Sequence, residues 1–110
     1  MQFLMMTTDT GSAPPTPELY AAMGKLIQEM TQAGVLLATG GLDPRSKVHV
    51  TNKGGKITVT DGPFTEAKEA IVGFALIEAK SKEEAIEYSK KFWAVAGDGA
   101  GDIYPVFGPG

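Results

Sequence analysis

The sequence predicts a single α+β domain in which strands and helices alternate and a β-hairpin is inserted between the two halves. Three observations predict this fold. The chain has 110 residues, of which 43% are hydrophobic, and this suits one hydrophobic core. Two stretches open with helix N-cap signals and carry apolar residues at helical spacing. The stretches around them are short and apolar or alternate between apolar and polar, which is typical of strands.

The first half of the chain predicts a strand, a helix and a second strand. Gln2 to Thr8 is a short apolar stretch that predicts a buried strand. A loop rich in glycine and proline follows, and then Thr16 and Pro17 have the residue types of an N-cap and a first helical position. Gly34 stands where a helix C-terminal cap is expected, and Val35 to Thr39 predicts the second strand.

The middle of the chain predicts a β-hairpin. Lys47 to Asn52 and Lys56 to Thr60 alternate between apolar and polar residues, and Lys53-Gly54-Gly55 is a turn sequence that would join them. The alternation places His49 on the face opposite the valines, among threonines. Before the hairpin, Gly40-Gly41 predicts a bend or a close approach to the backbone.

The second half repeats the order strand, helix, strand. Ala70 to Ala79 is an apolar strand with large residues at both parities, so we expect both of its faces to be covered. Ser81 and Glu84 have the spacing of a capping box, and we expect Gly97 and Gly99 to end the helix that follows. Asp102 to Phe107 predicts a last strand, and Pro105 indicates that this strand is at a sheet edge or at an end.

This order is that of the split βαβ, ferredoxin-like fold. Both helices would cover one face of an antiparallel sheet, and the other face would need a cover from outside the chain. The simplest cover is a second copy related by a two-fold axis, so we expect a homodimer.

Composition excludes several kinds of function. The formal charge is −3, so we expect no nucleic-acid partner. There is no cysteine, so we expect no disulfide, and a single histidine excludes a histidine-rich metal site. No carboxylate spacing resembles a Mg²⁺ or Ca²⁺ loop, so we expect no metal, and we expect no cofactor. No apolar run is long enough to span a bilayer, and the first residues lack the positive charge of a signal peptide, so we expect a cytoplasmic protein and no membrane partner.

The most distinctive run joins the hairpin to the long apolar strand. It begins Asp61-Gly62-Pro63-Phe64, which has the chemistry of a tight turn that fixes one aromatic side chain. A second interpretation is a ligand or catalytic site, with Asp61 as a general base whose pKa is raised beside a buried face. Glu66, Lys68 and Glu69 follow within the same run. They would contribute to that site or form a solvated group of charges.

The order of elements, the Asp61-Gly62-Pro63-Phe64 motif and the later pair Gly73-Phe74 resemble the YCII-related family, specifically its DGPF subgroup. The resemblance covers nearly the whole chain and implies a dimeric α+β barrel. Relatives include small enzymes or ligand-binding modules, and others that occur beside sigma-type transcription regulators. Some carry a histidine in the first helix that is proposed to work with an aspartate. This chain has Met23 and Gly24 near that place, so that pair cannot operate here.

Two hypotheses about function follow. The first is a homodimer that binds a small molecule and could carry out acid–base chemistry, with Asp61 as the candidate catalytic residue and His49 as a weaker one. The candidate ligand-binding residues are Gly41, Phe64, Glu66, Lys68, Glu69 and Phe74. The second is a non-enzymatic interaction or regulatory module, which would have a closed interior and an exposed apolar patch.

Overall fold

The computed structural model describes residues 1–8, 16–62 and 70–108. Within these residues the chain forms six strands and two helices in the predicted order. They are β1 (Gln2–Thr8), α1 (Pro17–Gln32), β2 (Leu36–Gly41), β3 (Val48–Lys53), β4 (Lys56–Asp61), β5 (Ile71–Glu78), α2 (Lys82–Ala96) and β6 (Ala100–Val106).

Four strands make the main sheet, in the order β2-β5-β1-β6, and each is antiparallel to its neighbours. β3 and β4 form a separate two-stranded sheet. With that hairpin set aside, the strand order is the one expected of a split βαβ arrangement. The predicted α+β, ferredoxin-like fold is therefore confirmed for one chain. β6 is an edge strand, as the proline at position 105 predicts.

Both ends of α1 are fixed by local sequence signals. The side chain of Thr16 accepts a hydrogen bond from the backbone N–H of Leu19 at 3.1 Å, which is an N-cap. Gly34 follows the helix with a φ of 76°, and the N–H of Val35 donates to the carbonyl of Met30 at 3.0 Å. This is the Schellman arrangement, and a glycine adopts the required positive φ without strain.

α2 begins with a variant of the predicted capping box. The side chain of Ser81 accepts from the N–H of Glu84 at 3.1 Å, as expected. The Glu84 carboxylate accepts from the N–H of Lys80 at 3.2 Å, one residue before the N-cap. Gly97 ends the helix with a φ of 83°.

Gly99 has a packing role, although the sequence suggested a helix-ending one. A Cβ at Gly99 would lie 2.5 Å from Cζ3 of Trp93, and one at Gly101 would lie 3.3 Å from Cζ2 of the same indole. The indole, which belongs to the single tryptophan of the chain, therefore needs glycine beside it.

The core lies between the helices and one face of the main sheet. Odd-numbered residues of β1 point to this face, where Phe3 is buried against Ile77 of β5 and Ala85 of α2. Of the described residues of α1, none is fully buried. The helix layer is therefore packed most tightly beneath α2.

The opposite face of the main sheet, which we call the sheet back, is not covered by either helix. The strand register places Ala38, Leu76, Leu4 and Tyr104 in one row across all four strands. Tyr104 is about half exposed, at 51%. The expectation that the long strand β5 needs a cover on both faces is thus met on one face only within the chain.

The β3–β4 hairpin has one apolar face and one polar face. Gly54 and Gly55 form a two-residue turn with φ values of 59° and 82°, as a type I′ hairpin requires. Val50 lies directly opposite Val59, and every residue of both strands is exposed. The exposed fractions of the four apolar residues run from 53% to 66%. They are Val48, Val50, Ile57 and Val59.

The chain exposes more surface than its size requires. Its accessible surface is 8051 Å² at a mass of 11.6 kDa. A folded monomer of that mass is expected to expose about 5,800 Å². The excess is about 2,200 Å² by that relation, and the exposed apolar residues of the hairpin and Tyr104 on the sheet back contribute to it.

Candidate functional site: a cavity between the helices and the sheet

A cavity of about 140 Å³ lies between the two helices and the core face of the main sheet. α1 contributes residues half-buried at the edge of the core, α2 contributes two aromatic residues, and three strands form the floor. The lining residues are Met5, Thr7, Leu26, Met30, Leu36, Thr39, Gly40, Gly73, Phe74, Ala75, Ile77, Tyr88 and Phe92. The lining is therefore largely apolar, as is typical of small-molecule sites.

The polar side chains of the lining are three hydroxyl groups, on Thr7, Thr39 and Tyr88. The Thr39 hydroxyl donates to the backbone carbonyl of Phe74 at 2.8 Å, so its oxygen is left as an acceptor. No aspartate, glutamate, lysine, arginine or histidine is among the described lining residues. Such a cavity favours a neutral ligand, because burying an unpaired charge is costly.

One glycine shapes the floor of the cavity, and a second makes room on the sheet back. A Cβ at Gly73 would lie 2.8 Å from the Thr7 hydroxyl, whereas one at Gly40 would lie 3.0 Å from Cε1 of Phe74, whose pairing with Met6 puts its ring on the sheet back. Gly40 and Gly41 continue β2 rather than ending it, so the close approach expected at this pair is that of the Phe74 ring. Gly41 pairs with Gly73 in the sheet and is not among the lining residues.

Asp61 and His49, the candidate catalytic residues, lie on opposite faces of the hairpin. Asp61 is opposite Val48 and shares the apolar face, whereas His49 is opposite Thr60 on the polar face. Both are exposed, and neither lines the cavity. The structure therefore does not bring these two side chains together as an acid–base pair within one chain.

The other candidates divide into two groups. Phe74 lines the cavity. Phe64, Glu66, Lys68 and Glu69 lie outside the described residues. The chain re-enters the described part at Ala70, and the cavity-lining Gly73 and Phe74 follow at once on β5. The Asp61–Glu69 run thus joins the sheet at the strand that borders the cavity.

The three hydroxyl groups were missed by the sequence analysis, although the pattern carries a signal for two of them, Thr7 and Tyr88. Thr7 has the same parity as the core residues Phe3 and Met5, so alternation along β1 places it on the core face. Tyr88 lies three residues after the buried Ala85, on the face of α2 that packs on the sheet. A search for polar residues on core-facing positions would have found them.

One carboxyl group outside the cavity has a perturbed pKa. The Asp43 side chain accepts from the Ser46 hydroxyl at 2.8 Å and from the N–H of Arg45 at 3.0 Å. The hydrogen bond from Ser46, followed by that from the backbone of Arg45, holds the pKa of Asp43 below its ordinary value. These contacts fix the turn that leads into the hairpin.

Two further searches bear on the kind of site. In the described ranges, no three histidine, cysteine, aspartate or glutamate side chains are grouped so that they could hold a metal ion. Neither of the two helices described here has the length and apolar character needed to cross a membrane.

Comparisons with other proteins support the fold and identify the family. A curated relative, an uncharacterised protein of Rhizobium meliloti (strain 1021), is 33% identical over 64 residues, which are 57% of this chain. The chain covers 52% of that protein, or about half its length.

A similar solved structure is that of 5-chloro-2-hydroxyhydroquinone dehydrochlorinase from Burkholderia phenoliruptrix AC1100, in complex with 2,5-dihydroxybenzoquinone. It is 17% identical, with 97% of this chain and 94% of that chain covered and a TM-score of 0.52, so the likeness is one of fold. The model of the YCII-related domain matches residues 1–108, and the chain therefore belongs to the YCII-related family.

Proposed function

We propose that this chain is a cytoplasmic, homodimeric protein that binds a small, neutral, planar molecule of about one six-membered ring in the cavity between its helices and its sheet. The observation that carries the proposal is the size and lining of the cavity. Its volume is about 140 Å³. An apolar cavity of about 150 Å³ in another protein binds benzene.

The hydroxyl groups favour a ring that carries hydroxyl or carbonyl substituents. Thr7 and Thr39 lie on the floor of the cavity, whereas Tyr88 reaches it from α2. A ring with polar groups at opposite ends could meet donors and acceptors from both layers. The fold is shared with a protein whose structure is a complex with 2,5-dihydroxybenzoquinone, a molecule of this kind.

The proposal assigns acid–base chemistry to the Asp61–Glu69 run. The described lining has no carboxylate and no imidazole that could act as a general base near neutral pH. The Asp61-Gly62-Pro63-Phe64 sequence supports placement in the DGPF subgroup, and the run leads into β5 beside the cavity. Asp61→Asn should then abolish turnover or weaken binding while leaving the melting temperature nearly unchanged.

The homodimer is supported by the surface that one chain leaves uncovered. The excess of about 2,200 Å² lies within the area that each partner of an obligate homodimer buries, roughly 1,000–2,500 Å². The sheet back supplies an apolar row from β2 to β6 that a two-fold partner could cover. Sedimentation that shows a single species of 11.6 kDa at micromolar concentration would contradict the dimer.

Ligand binding is tested directly with two ring compounds, benzene and hydroquinone. Each should raise the melting temperature in a concentration-dependent way, because a ligand that binds only the folded state stabilises it. Both should shift the methyl signals of Met5 and Met30, which line the cavity. Hydroquinone should bind more weakly to Tyr88→Phe, whereas benzene should not.

The matched control is Ala75→Ile, which adds a larger side chain to the cavity floor. It should abolish binding of both compounds. If the compounds raise the melting temperatures of the wild-type protein and of Ala75→Ile equally, the cavity is not a ligand site. The same conclusion follows if neither compound shifts the methyl signals of Met5 and Met30.

A further inference from the structure

The β3–β4 hairpin stands apart from the rest of its own chain. It forms its own two-stranded sheet, and all six residues of each strand are exposed. A two-stranded hairpin alone is marginally stable in water, so a regular one of this length is expected to pack on something. The described part of the chain offers no element that covers its valine face.

We infer that this hairpin is a docking arm, which lays the face formed by Val48, Val50, Ile57 and Val59 on the sheet back of a second copy of the chain. The inference rests on the homodimer of the proposed function and adds which segment crosses to the partner. The sheet back already carries the complementary surface, the row of Ala38, Leu76, Leu4 and Tyr104.

The area favours a second copy over an unrelated partner. Each chain has two uncovered apolar faces, the hairpin face and the sheet back, and one two-fold operation places each on the other. Both of these faces are then covered by a single closed interface. An unrelated protein seated on the hairpin alone would leave the sheet back exposed.

The charge distribution favours the same partner. Residues 47–61 carry three lysines, at positions 47, 53 and 56, and one acidic residue, Asp61 at the end of β4, for a formal charge of +2. Since the chain as a whole has a formal charge of −3, the rest of it carries −5. A basic hairpin is therefore drawn toward the acidic body of a second copy. Lys53 and Lys56 lie on the polar face, so they stay at the rim of the contact.

The hairpin also offers a matched pair of variants on its two faces. Val50 is directly opposite Val59 on the apolar face, and Thr51 is directly opposite Thr58 on the polar face. Valine and threonine have nearly the same shape and both suit strands, so exchanges between them keep the hairpin and change only its polarity.

The test measures the dissociation constant of the dimer by sedimentation velocity. For Val50→Thr with Val59→Thr, a rise on the order of 100-fold is expected, since four hydroxyl groups per dimer would be buried. For the control, Thr51→Val with Thr58→Val, a change below about threefold is expected, because exposed substitutions have small effects. If both pairs of variants dimerise like the wild type, the arm is refuted and the dimer through the sheet back still stands.

The surface that the hairpin contacts on the second copy is tested with a photo-crosslinking residue at position 50. A second sample carries the same residue at position 51. The chain is mixed with a copy labelled with ¹⁵N, so that crosslinks between copies are recognised by mass. Position 50 should crosslink to residues of the sheet back of the other copy, and position 51 should not. Crosslinks from position 50 only to its own chain, or only to the other hairpin, would overturn the inference.

A wild-type chain that stays monomeric at micromolar concentration would overturn both the arm and the dimer. The binding of benzene and hydroquinone is measured separately and does not depend on that result.

Discussion

Filling the cavity with a side chain should stabilise the protein and block its ligand site at the same time. Ala75 lies on β5, lines the cavity and packs beside the core. In Ala75→Ile the added carbons would occupy space that is now empty. The substitution also replaces alanine by a residue that suits strands better.

The size of the effect follows from the cavity volume. At about 24 cal/mol per Å³, a void of about 140 Å³ costs up to about 3.4 kcal/mol. Isoleucine recovers part of this, about 2.4 kcal/mol at roughly 0.8 kcal/mol per carbon. Ordering its side chain costs roughly 0.5–1 kcal/mol. We therefore expect the free energy of unfolding to rise by about 1.5 kcal/mol, and the melting temperature by about 6 °C.

The assay is urea unfolding followed by far-ultraviolet circular dichroism, at one fixed protein concentration because the proposed dimer would make stability depend on concentration. The control is Thr58→Ile, the same new side chain on the exposed polar face of the hairpin, where a change within about 0.5 kcal/mol is expected. A loss of more than about 1 kcal/mol in Ala75→Ile would indicate overpacking. It would refute the conclusion that this space is free.

Three further predictions concern local contacts. Gly99→Ala should lower the free energy of unfolding by about 1–3 kcal/mol and shift the emission of Trp93, whose Cζ3 would lie 2.5 Å from the new Cβ. Thr16→Ala should lower it by about 1 kcal/mol in urea unfolding, because α1 loses its N-cap. The Asp43 carboxyl should titrate by NMR below its ordinary pKa of 3.8, because Ser46 stabilises its charged form. A lowered pKa contributes stability above the ordinary value, and that contribution is lost as the pH falls through the folded-state value.

Each of these predictions has a control within the chain. Gly108→Ala should be neutral, because nothing lies within 4 Å of the new Cβ. Thr31→Ala, on the exposed last turn of α1, should change stability by less than about 0.5 kcal/mol. Ser46→Ala should bring the pKa of Asp43 back toward 3.8. An unchanged Asp43 titration in Ser46→Ala would contradict the assigned cause.

Most of the fold could be predicted because its signals are local. The N-cap at Thr16, the glycine at 34 and the Gly54-Gly55 turn each specify a backbone conformation through their own chemistry. Alternation in the hairpin correctly placed His49 among threonines. β6 is an edge strand, one of the two arrangements expected from the proline at 105, because proline has no N–H to donate to a second neighbouring strand.

The cavity could not be predicted from the sequence, because a void depends on how well side chains from distant elements fill the space between them. Leu26 and Met30 have the pattern of ordinary core residues, yet they line open space. Gly99 carries the same ambiguity. A glycine after a helix is typical of a cap, and only the position of the Trp93 indole shows that its missing side chain makes room for packing.

Whether the side chains of Asp61 and His49 lie on the same face of the hairpin depends on the strand register. The two positions differ by an odd step across the hairpin, which sends their side chains to opposite faces. A sequence motif identifies residue types, but it does not show on which face of the hairpin each side chain lies.

Pro105 on the edge strand β6 has a consequence for larger assemblies. An open strand edge presents a line of donors and acceptors to which further strands of any protein can add, and this is one route to fibrils. Proline brings no N–H to that line, so the outer edge of β6 is a poor template for continued growth of the sheet. Chain-after-chain extension of the sheet along this side is therefore disfavoured.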